Sequence, residues 1–514
     1  MKKIVVVIGI LACQRLVAQL PEDALRASWI VPSGTARQQA IGGAMGSLGG
    51  EISSNFVNPA GLGFYKTREI VISPGFRLLQ DKANYLNTPN GGHTAGNFNL
   101  GTSGLVTSHT GFNGNNSVFS IAVNRTANFN NHIHYKGRND YSSSSEQYAE
   151  EFSRSRYSID SAIVNPYGDV SYGTRMALYT YLIDTATING QSQVISRAQN
   201  AGLLDQENDV QTSGGITEIA LNLATSLKDK WYIGGGIGIP IISYTRLQNY
   251  RESDATGNPY NDFTSYTYTE KYTSRGFGLN AKLGVIFRPS NAWRVGLAVH
   301  TPSLMGVTDK LHSSMSSDLD TFSRHQQVTS DELDASYGSV NSVSYNLYTP
   351  WRFIASGSYV FGGGQQNVKS QKGFVTADVE YVTTRTAHFK PENSEDESAP
   401  GNYYDAVNAA IKDIYKNYLS LRLGGELKFN TVFARAGAAY YTNPYQDSKE
   451  LKADRLFLTA GTGYRNAGMF FDLAFVMQFS RDINFPYLLS DKNNVVSALK
   501  QTGGTVLLTV GFKF

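Results

Sequence analysis

The chain has 514 residues, of which 17% are charged, 41% apolar and 12% aromatic, with 50 glycines and a formal net charge of +3. That charge content lies well below the roughly 25% of ordinary soluble domains; the mixture is neither disordered nor collagen-like, and so small a net charge gives no reason to expect nucleic acid as a partner. After the first dozen residues no apolar run approaches the ~18 to 20 residues of a transmembrane helix, which leaves an all-β chain with its apolar residues dispersed.

Met1-Lys2-Lys3 followed by the apolar stretch Ile4 to Ala12 reads as a signal peptide over residues 1–18, with cleavage after Ala18. The sole cysteine, Cys13, lies within it, and Ile10-Leu11-Ala12-Cys13 has some likeness to a lipoprotein processing box, so that second reading stays beside the first. The exported chain then has no cysteine, and its stability must come from a large core or from a closed sheet in lipid.

Residues 19–68 do not follow a strand pattern. Between Ser33 and Gly63 they read SGTARQQAIGGAMGSLGGEISSNFVNPAGLG, with eight glycines among small residues. From Ile70 onward the pattern is period-2 alternation in segments of about ten residues bounded by turn residues. In the last segment Val506, Leu508, Val510, Phe512 and Phe514 share one face, Thr505, Thr509, Gly511 and Lys513 the other, with Leu507 the exception.

Fourteen such segments are predicted, near 69–80, 96–109, 117–136, 214–227, 230–250, 264–288, 292–308, 345–361, 371–390, 416–429, 431–442, 455–464, 468–481 and 503–514. The links alternate between tight ones, such as Lys228-Asp229 and Asn430, and longer ones: 81–95, 137–213, 251–263, 309–344, 391–415, 443–454 and 482–502. An even strand count, short turns at one end and long loops at the other predict a transmembrane antiparallel β-barrel, with the chain ends periplasmic and the long loops extracellular. Trp231, Trp293 and Trp351 fall at segment ends, where interfacial girdles require them. If the apolar set faces lipid, the other set lines the lumen, and it includes Arg294, Arg352, Arg422, Glu426 and Arg435 as wall residues.

A barrel of this size encloses more space than its own side chains fill, so residues 19–68 are expected to thread inside as a plug. Here the chain resembles the FadL/TodX family of outer-membrane transporters for hydrophobic compounds. The resemblance rests on Asn58-Pro59-Ala60 in a glycine-rich N-terminal segment, on the fourteen segments after it and on the aromatic C-terminal residue Phe514. It implies a hatch that closes the lumen, extracellular loops that capture an apolar ligand, and lateral release into the membrane through a wall opening associated with a kink in the third strand. It also implies outer-membrane lipid, a small hydrophobic ligand and, through Phe514, the barrel assembly machinery as partners. The family includes subunits of secretion or assembly machines, so a non-transporting scaffold with protein partners at its extracellular loops is the alternative.

In the third segment Phe119, Ile121 and Val123 set the lipid face, which then carries Arg125 and later Asn131 within NRTANFNN. An arginine facing lipid near mid-membrane costs about 2 to 4 kcal/mol. A kink or bulge is therefore expected over Arg125, Asn128, Asn130 and Asn131; snorkelling of Arg125 to the interface is the competing reading. His132 and His134 share a face and are expected to point into the lumen.

The link 137–213 is too long to be structureless. Glu146 to Ser155 has helical character, and Met176, Leu178, Tyr179, Tyr181, Leu182 and Ile183 form an apolar stretch suited to ligand capture or to packing the loop on its neighbours. Residues 403–418 form a second amphipathic candidate, with Val407, Ile411 and Tyr415 on one face. No Walker A sequence, metal-ligand cluster or nucleophile elbow is present, and no cofactor is implied. The chain reads as a non-enzyme of the bacterial outer membrane.

Overall fold

The computed structural model describes residues 21–29, 31–111, 115–165, 170–335, 341–362, 371–392, 401–447 and 451–514. The expected signal peptide, with Cys13, and residues 19, 20 and 30 of the expected plug lie outside them, as do residues 393–400 of the link 391–415.

Fourteen staves, each one strand or two strands separated by a bend, close into an antiparallel barrel. In order they are Glu69–Ile72 with Pro74–Tyr85, Thr88–Leu100 with Ser103–Thr110, Asn116–Asn128 with Asn131–Asn139, Leu204–Leu227, Trp231–Asp254, Ser265–Phe287, Trp293–His300 with Leu304–Leu319, Ser342–Tyr348 with Arg352–Phe361, Gly373–Val382 with His388–Pro391, Tyr418–Phe429, Val432–Tyr441, Arg455–Asn466, Met469–Asn484 and Ser497–Lys513. The last stave pairs with the first, Glu69 opposite Lys513 and Gly75 opposite Leu507, so no edge is left at the seam. No described helix is long and apolar enough to cross a membrane; the strands do so.

Alternation gives this barrel its two surfaces. Leu419, Leu421, Leu423, Leu427 and Phe429 are exposed on the outside, while Ser420, Arg422 and Glu426 are buried on the inside. Trp231 packs against Phe287 and Trp293 against Tyr359 at the short-turn end, with Trp351 near Phe353 toward the other, the two aromatic girdles of an outer-membrane barrel. Leu507, which breaks the outward pattern, is fully buried against Ala36, Ala40 and Ala474.

Several strands run further than alternation predicted. The link expected at 81–95 is a hairpin whose turn, Leu86-Asn87, has φ of 49° and 59°, the left-handed pair that a tight two-residue connection requires. The loop expected at 137–213 begins only after Asn139 and ends before Leu204, and much of 309–344 is strand, Leu304–Leu319 and Ser323–Thr329. The cause is physical: above the lipid both faces of a strand meet water or polar loops, so the apolar/polar contrast fades while the ladder continues.

The N-terminal segment lies against the buried face of the wall. It forms helices α1 (Pro21–Ser28), α2 (Ala36–Ala40) and α3 (Ser54–Val57), then a 3-10 turn, Pro59–Phe64. Asn58 explains its own motif. Its Oδ1 accepts from the Ala60 amide at 3.1 Å, capping the turn that Pro59 opens, and its Nδ2 donates to the carbonyls of Gly46 at 2.6 Å and Leu297 at 3.3 Å. Asp378 on the ninth stave accepts from the Met45 and Gly46 amides at 2.9 and 3.0 Å, His300 reaches the Val57 carbonyl at 2.9 Å, and Thr459 accepts from Gly42 at 3.0 Å. These wall side chains satisfy backbone groups that water does not reach.

Glycines of the wall make the close approach possible. A Cβ at Gly284 would sit 1.9 Å from Asn58 Oδ1, and one at Gly424 2.2 Å from the Ile41 carbonyl. Gly284→Val is expected to unseat the segment while the barrel still closes, since the position is otherwise an ordinary strand residue. Planar-bilayer recordings check this: the variant should show larger and more frequent conductance than the parent chain.

Candidate functional site

Helix α1 carries Glu22 and Asp23 in its first turn and Arg26 in its last, the charge order that a helix dipole favours. Its apolar residues Ala24, Leu25 and Ala27, with Trp29 just beyond, are buried in a large apolar cluster within the barrel, and the space that α1 fills there is an apolar chamber. Ile242, Met305, Val307, Leu347, Phe457 and Val476 line that chamber from the wall. Its far side is the helix Gly401–Ile414 of the link between the ninth and tenth staves. That helix turns Val407 and Ile411 inward at 0% exposure, followed by Tyr415 at 1%, the face expected from the sequence. The Arg455 guanidinium lies 3.7 Å from the Trp29 ring centroid and that of Arg26 3.9 Å from Tyr244, cation–π contacts that hold the C-terminal end of α1.

Beside the chamber the wall is broken. The second and third staves pair from Thr110 opposite Asn116 to Ser103 opposite Val123 and no further. Beyond that, Thr88–Leu100 pairs with the first stave alone and Asn131–Asn139 with the fourth alone. The third stave has a register shift between Arg125 and Ala127, where Thr126 is the extra residue against the fourth stave. It bends there, as bulged strands do. The Arg125 guanidinium donates to the Gly214 carbonyl, which also accepts from the Phe129 amide at 3.0 Å, and the Asn130 side chain donates to Asn128 Oδ1 at 2.8 Å. Gly214 has φ of +106°, and a Cβ on Gly215 would sit 2.3 Å from the Ala127 carbonyl, so the glycine pair shapes the fourth stave to fit the bend.

One extra residue inverts every face after it. Asn131 therefore lies on the inner side, opposite Thr212, and His132 and His134 lie outside, opposite Gln211 and Asp209. The lumen-facing assignment of these histidines is thereby corrected: His132 pairs with Asp209 and His134 with Glu207, each at 2.8 Å, and both rings meet His93 of the second stave. Near the top of the break the Asn90 side chain bonds to both the amide and the carbonyl of Lys136, so the gap is bounded above and below.

A cavity of about 30 Å³ connects the break to the chamber, bordered by Pro32, Ser33, Arg77, Asn99, Arg125 and Asn128 on one side and by the chamber residues Phe457 and Val476 on the other. That is room for about two waters, so the passage is closed as it stands. Asn124 donates to Ser33 Oγ at 3.0 Å, tying the N-terminal segment to the third stave just before the bulge. Below α1 the lumen is polar. Lys282 pairs with Glu218, and both Arg352 and Arg422 pair with Glu380. Arg435 bridges Glu426 and Asp472 at 2.6 Å each, Glu426 also holds Arg37 of α2 at 3.0 Å, and Arg294 donates to the Leu48 carbonyl. The five wall residues thus all contact one another's partners or the N-terminal segment.

The loop between the third and fourth staves is a packed unit with Ser145–Arg154, Ile159–Val164 and Tyr172–Tyr179 as helices. Met176, Leu178, Leu182 and Ile183 are in its interior with Tyr148 and Phe152, whereas Tyr179 and Tyr181 are exposed at 44% and 47%. Arg175, 2% exposed, pairs at 2.9 Å with equally buried Asp334 of the neighbouring long loop. Arg175→Met leaves that carboxylate buried without its cation, a loss of about 3 kcal/mol or more. Limited proteolysis should cut residues 140–203 of the variant at least about tenfold faster, with the barrel itself intact.

Sequence reasoning missed α1 and Trp29, the Gly214-Gly215 pair, Arg77 of the first stave and Asn99 of the second. A glycine doublet directly opposite an asparagine-rich strand was the available signal for the bend.

No protein-family model and no curated protein matches the chain. Among solved structures it is similar to a Pseudomonas aeruginosa FadL homologue, at 14% identity and a TM-score of 0.54 over 95% of this chain and 100% of that one. It is also similar to the Pseudomonas putida toluene transporter TodX, at 10% identity and a TM-score of 0.50 over 94% and 99%. At such identities the likeness is one of fold: the fourteen-stranded barrel read from the sequence is the barrel of these proteins.

Proposed function

We propose that the chain carries small hydrophobic molecules, fatty-acid-like or aromatic, across the outer membrane and releases them sideways into the bilayer. The observation that carries the reading is the break between the second and third staves beside the apolar chamber, whose lining includes Ala127 and Ile216 at the bulge itself. Downward passage would take an apolar solute past the buried ion pairs of Glu218, Lys282, Glu380 and Arg352, whereas the sideways path leads from Phe457 and Val476 of the chamber past Arg77 and Arg125 to the wall break. The fold shared with a toluene transporter supports the same solute class.

In this mechanism exposed Tyr179 and Tyr181 offer first contact at the loops, and the solute then competes with α1 for the chamber. The N-terminal segment, residues 19–68, anchored through Asn58, Pro59 and Ala60, acts as the hatch. Withdrawing Ala24, Leu25, Ala27 and Trp29 from apolar surroundings costs roughly 5 to 6 kcal/mol, and a solute burying about seven methylenes offsets it at about 0.8 kcal/mol each. Shifting α1 pulls on Ser33, hence on Asn124 beside the bulge, and widens the cavity toward lipid. No energy source besides partitioning is needed. Exposed Phe514, stacked on Phe512, is free to serve as the aromatic end that assembly machinery reads.

Uptake of radiolabelled oleate and toluene by bacteria whose own outer-membrane carrier is absent tests the proposal. Cells displaying the chain should accumulate one or both faster than cells displaying an unrelated barrel; equal rates would leave the scaffold reading standing.

A further inference from the structure

The outer surface of the sixth to ninth staves carries a second feature that solute transport does not use. Cross-strand partners share a face, so the registers lay out its rows. Leu279, Leu304, Tyr348 and His388 form one row, and Phe277, Gly306, Asn346 and Lys390 the next toward the long loops. Above these lie Arg275, Thr308 and Ser344, then Thr273, Lys310 and Ser342, then Lys271 and His312. The lower rows are lipid-facing, with Phe277 69%, Leu279 56% and Leu304 46% exposed. The rows above them contain exposed Lys271, Arg275 and Lys310, with Lys390 at the end of the Phe277 row and hydroxyls between them; the carboxylates lie at the margin, exposed Glu392 two residues past Lys390, and Asp331, which His312 holds at 3.3 Å.

None of these four cations forms an ion pair among the described residues. The outward acids of the fourth stave at similar height, Asp205, Glu207 and Asp209, already pair with Arg138, His134 and His132. Lys310 is directly opposite Thr273, which places Lys271 and Arg275 diagonal to it, at about 7 to 8 Å between backbones. Like charges so placed repel unless an anion lies among them. At the foot of the field Tyr348 stacks on His388 with ring centroids 4.5 Å apart, and Lys390 Nζ stands 5.3 Å from the Tyr348 ring, the aromatic level at which a membrane changes from acyl chain to headgroup.

We propose that this field binds the phosphorylated headgroup of a lipid in the outer leaflet, with the acyl chains on Phe277, Leu279 and Leu304. The cations supply the charge, Thr308 and Ser344 supply hydrogen bonds, and the apolar rows continue the contact into the bilayer. A bis-phosphorylated glycolipid matches the spread of the four charges over staves six to nine. The lipid would hold one side of the barrel rigid while the broken side, at the second and third staves, remains free to move.

The test uses the full chain purified in detergent, with bis-phosphorylated lipid A, the same lipid dephosphorylated, and inorganic phosphate as probes, read by native mass spectrometry. The chain should bind bis-phosphorylated lipid A at least about tenfold more tightly than the dephosphorylated form, since a basic residue at an anionic surface contributes about fivefold. K271Q/R275Q/K310Q/K390Q should abolish that preference, and the milder R275Q/K310Q should reduce it, while K136Q/R138Q on the third stave leaves it unchanged. Heat-modifiable gel migration reports that each variant is folded. Equal binding of the two lipids by the parent chain, an equal loss in K136Q/R138Q, or displacement of the lipid by millimolar inorganic phosphate would each overturn the proposal.

Discussion

Deleting Thr126 should lower hydrophobic-solute uptake by about tenfold or more, about 1.4 kcal/mol or more on the rate-limiting barrier, and leave the barrel folded. Thr126 is the one extra residue of the third stave: Arg125 pairs with Thr217 before it and Ala127 with Ile216 after it. Removing it keeps every one of those pairs and takes away only the bend. Asn131–Asn139 can then return to the plane of the wall and ladder with the free edge of Thr88–Leu100. The deletion also places Ala127 in ordinary alternation after Arg125, so the faces of Asn131, His132 and His134 relative to the fourth stave do not change. Heat-modifiable migration should match the parent chain, and uptake of labelled oleate or toluene should fall; unchanged uptake with a closed ladder would show that solute does not leave by this route.

Arg435→Leu should have the largest effect on stability, about 3 to 5 kcal/mol, because it removes one partner from a buried network and leaves the others charged. Arg435 on the eleventh stave bridges Glu426 of the tenth and Asp472 of the thirteenth. It reaches across the twelfth stave at Gly463, where a Cβ would lie 2.1 Å from Asp472 Oδ1. Arg37 of α2 shares Glu426 and Arg465 stands 3.7 Å from Asp472, so neither carboxylate is wholly abandoned, and the lower end of the range is favoured. Arg435→Lys should recover only part of the loss, since an ammonium cannot hold two carboxylates with one planar fork. Urea midpoints of the folded gel band measure this. Loss of the Glu426 anchor geometry should also raise channel conductance, because Arg37 ties the N-terminal segment to the same cluster.

Alternation made the barrel legible because lipid and lumen impose opposite demands on successive residues. It failed above the membrane, where residues 81–85, 88–95 and 309–319 are strand with no lipid to enforce the contrast, and it failed past Thr126, where one inserted residue reversed the faces of His132 and His134. Leu507 was visible as an exception, but its meaning depended on Ala36 and Ala40, distant in sequence. Five wall residues, Arg294, Arg352, Arg422, Glu426 and Arg435, could be placed on the inner face by parity; their partners could not, because lumen contacts join staves that are not sequence neighbours. The apolar stretch at 176–183 was legible as a feature, yet only tertiary packing separates buried Met176, Leu178, Leu182 and Ile183 from exposed Tyr179 and Tyr181. The chamber was illegible for the same reason: its lining comes from most of the staves, a few residues from each.

The path of the solute can be read directly by photo-crosslinking. A long-chain fatty acid bearing a diazirine at its tail, loaded into the purified barrel in lipid nanodiscs and activated by light, should label Trp29, Phe457 or Val476 in the chamber and residues 125–130 at the wall break. Arg435, below the chamber, should stay unlabelled. Label confined to the outer belt, or distributed through the lower lumen, would contradict lateral release through the break between the second and third staves.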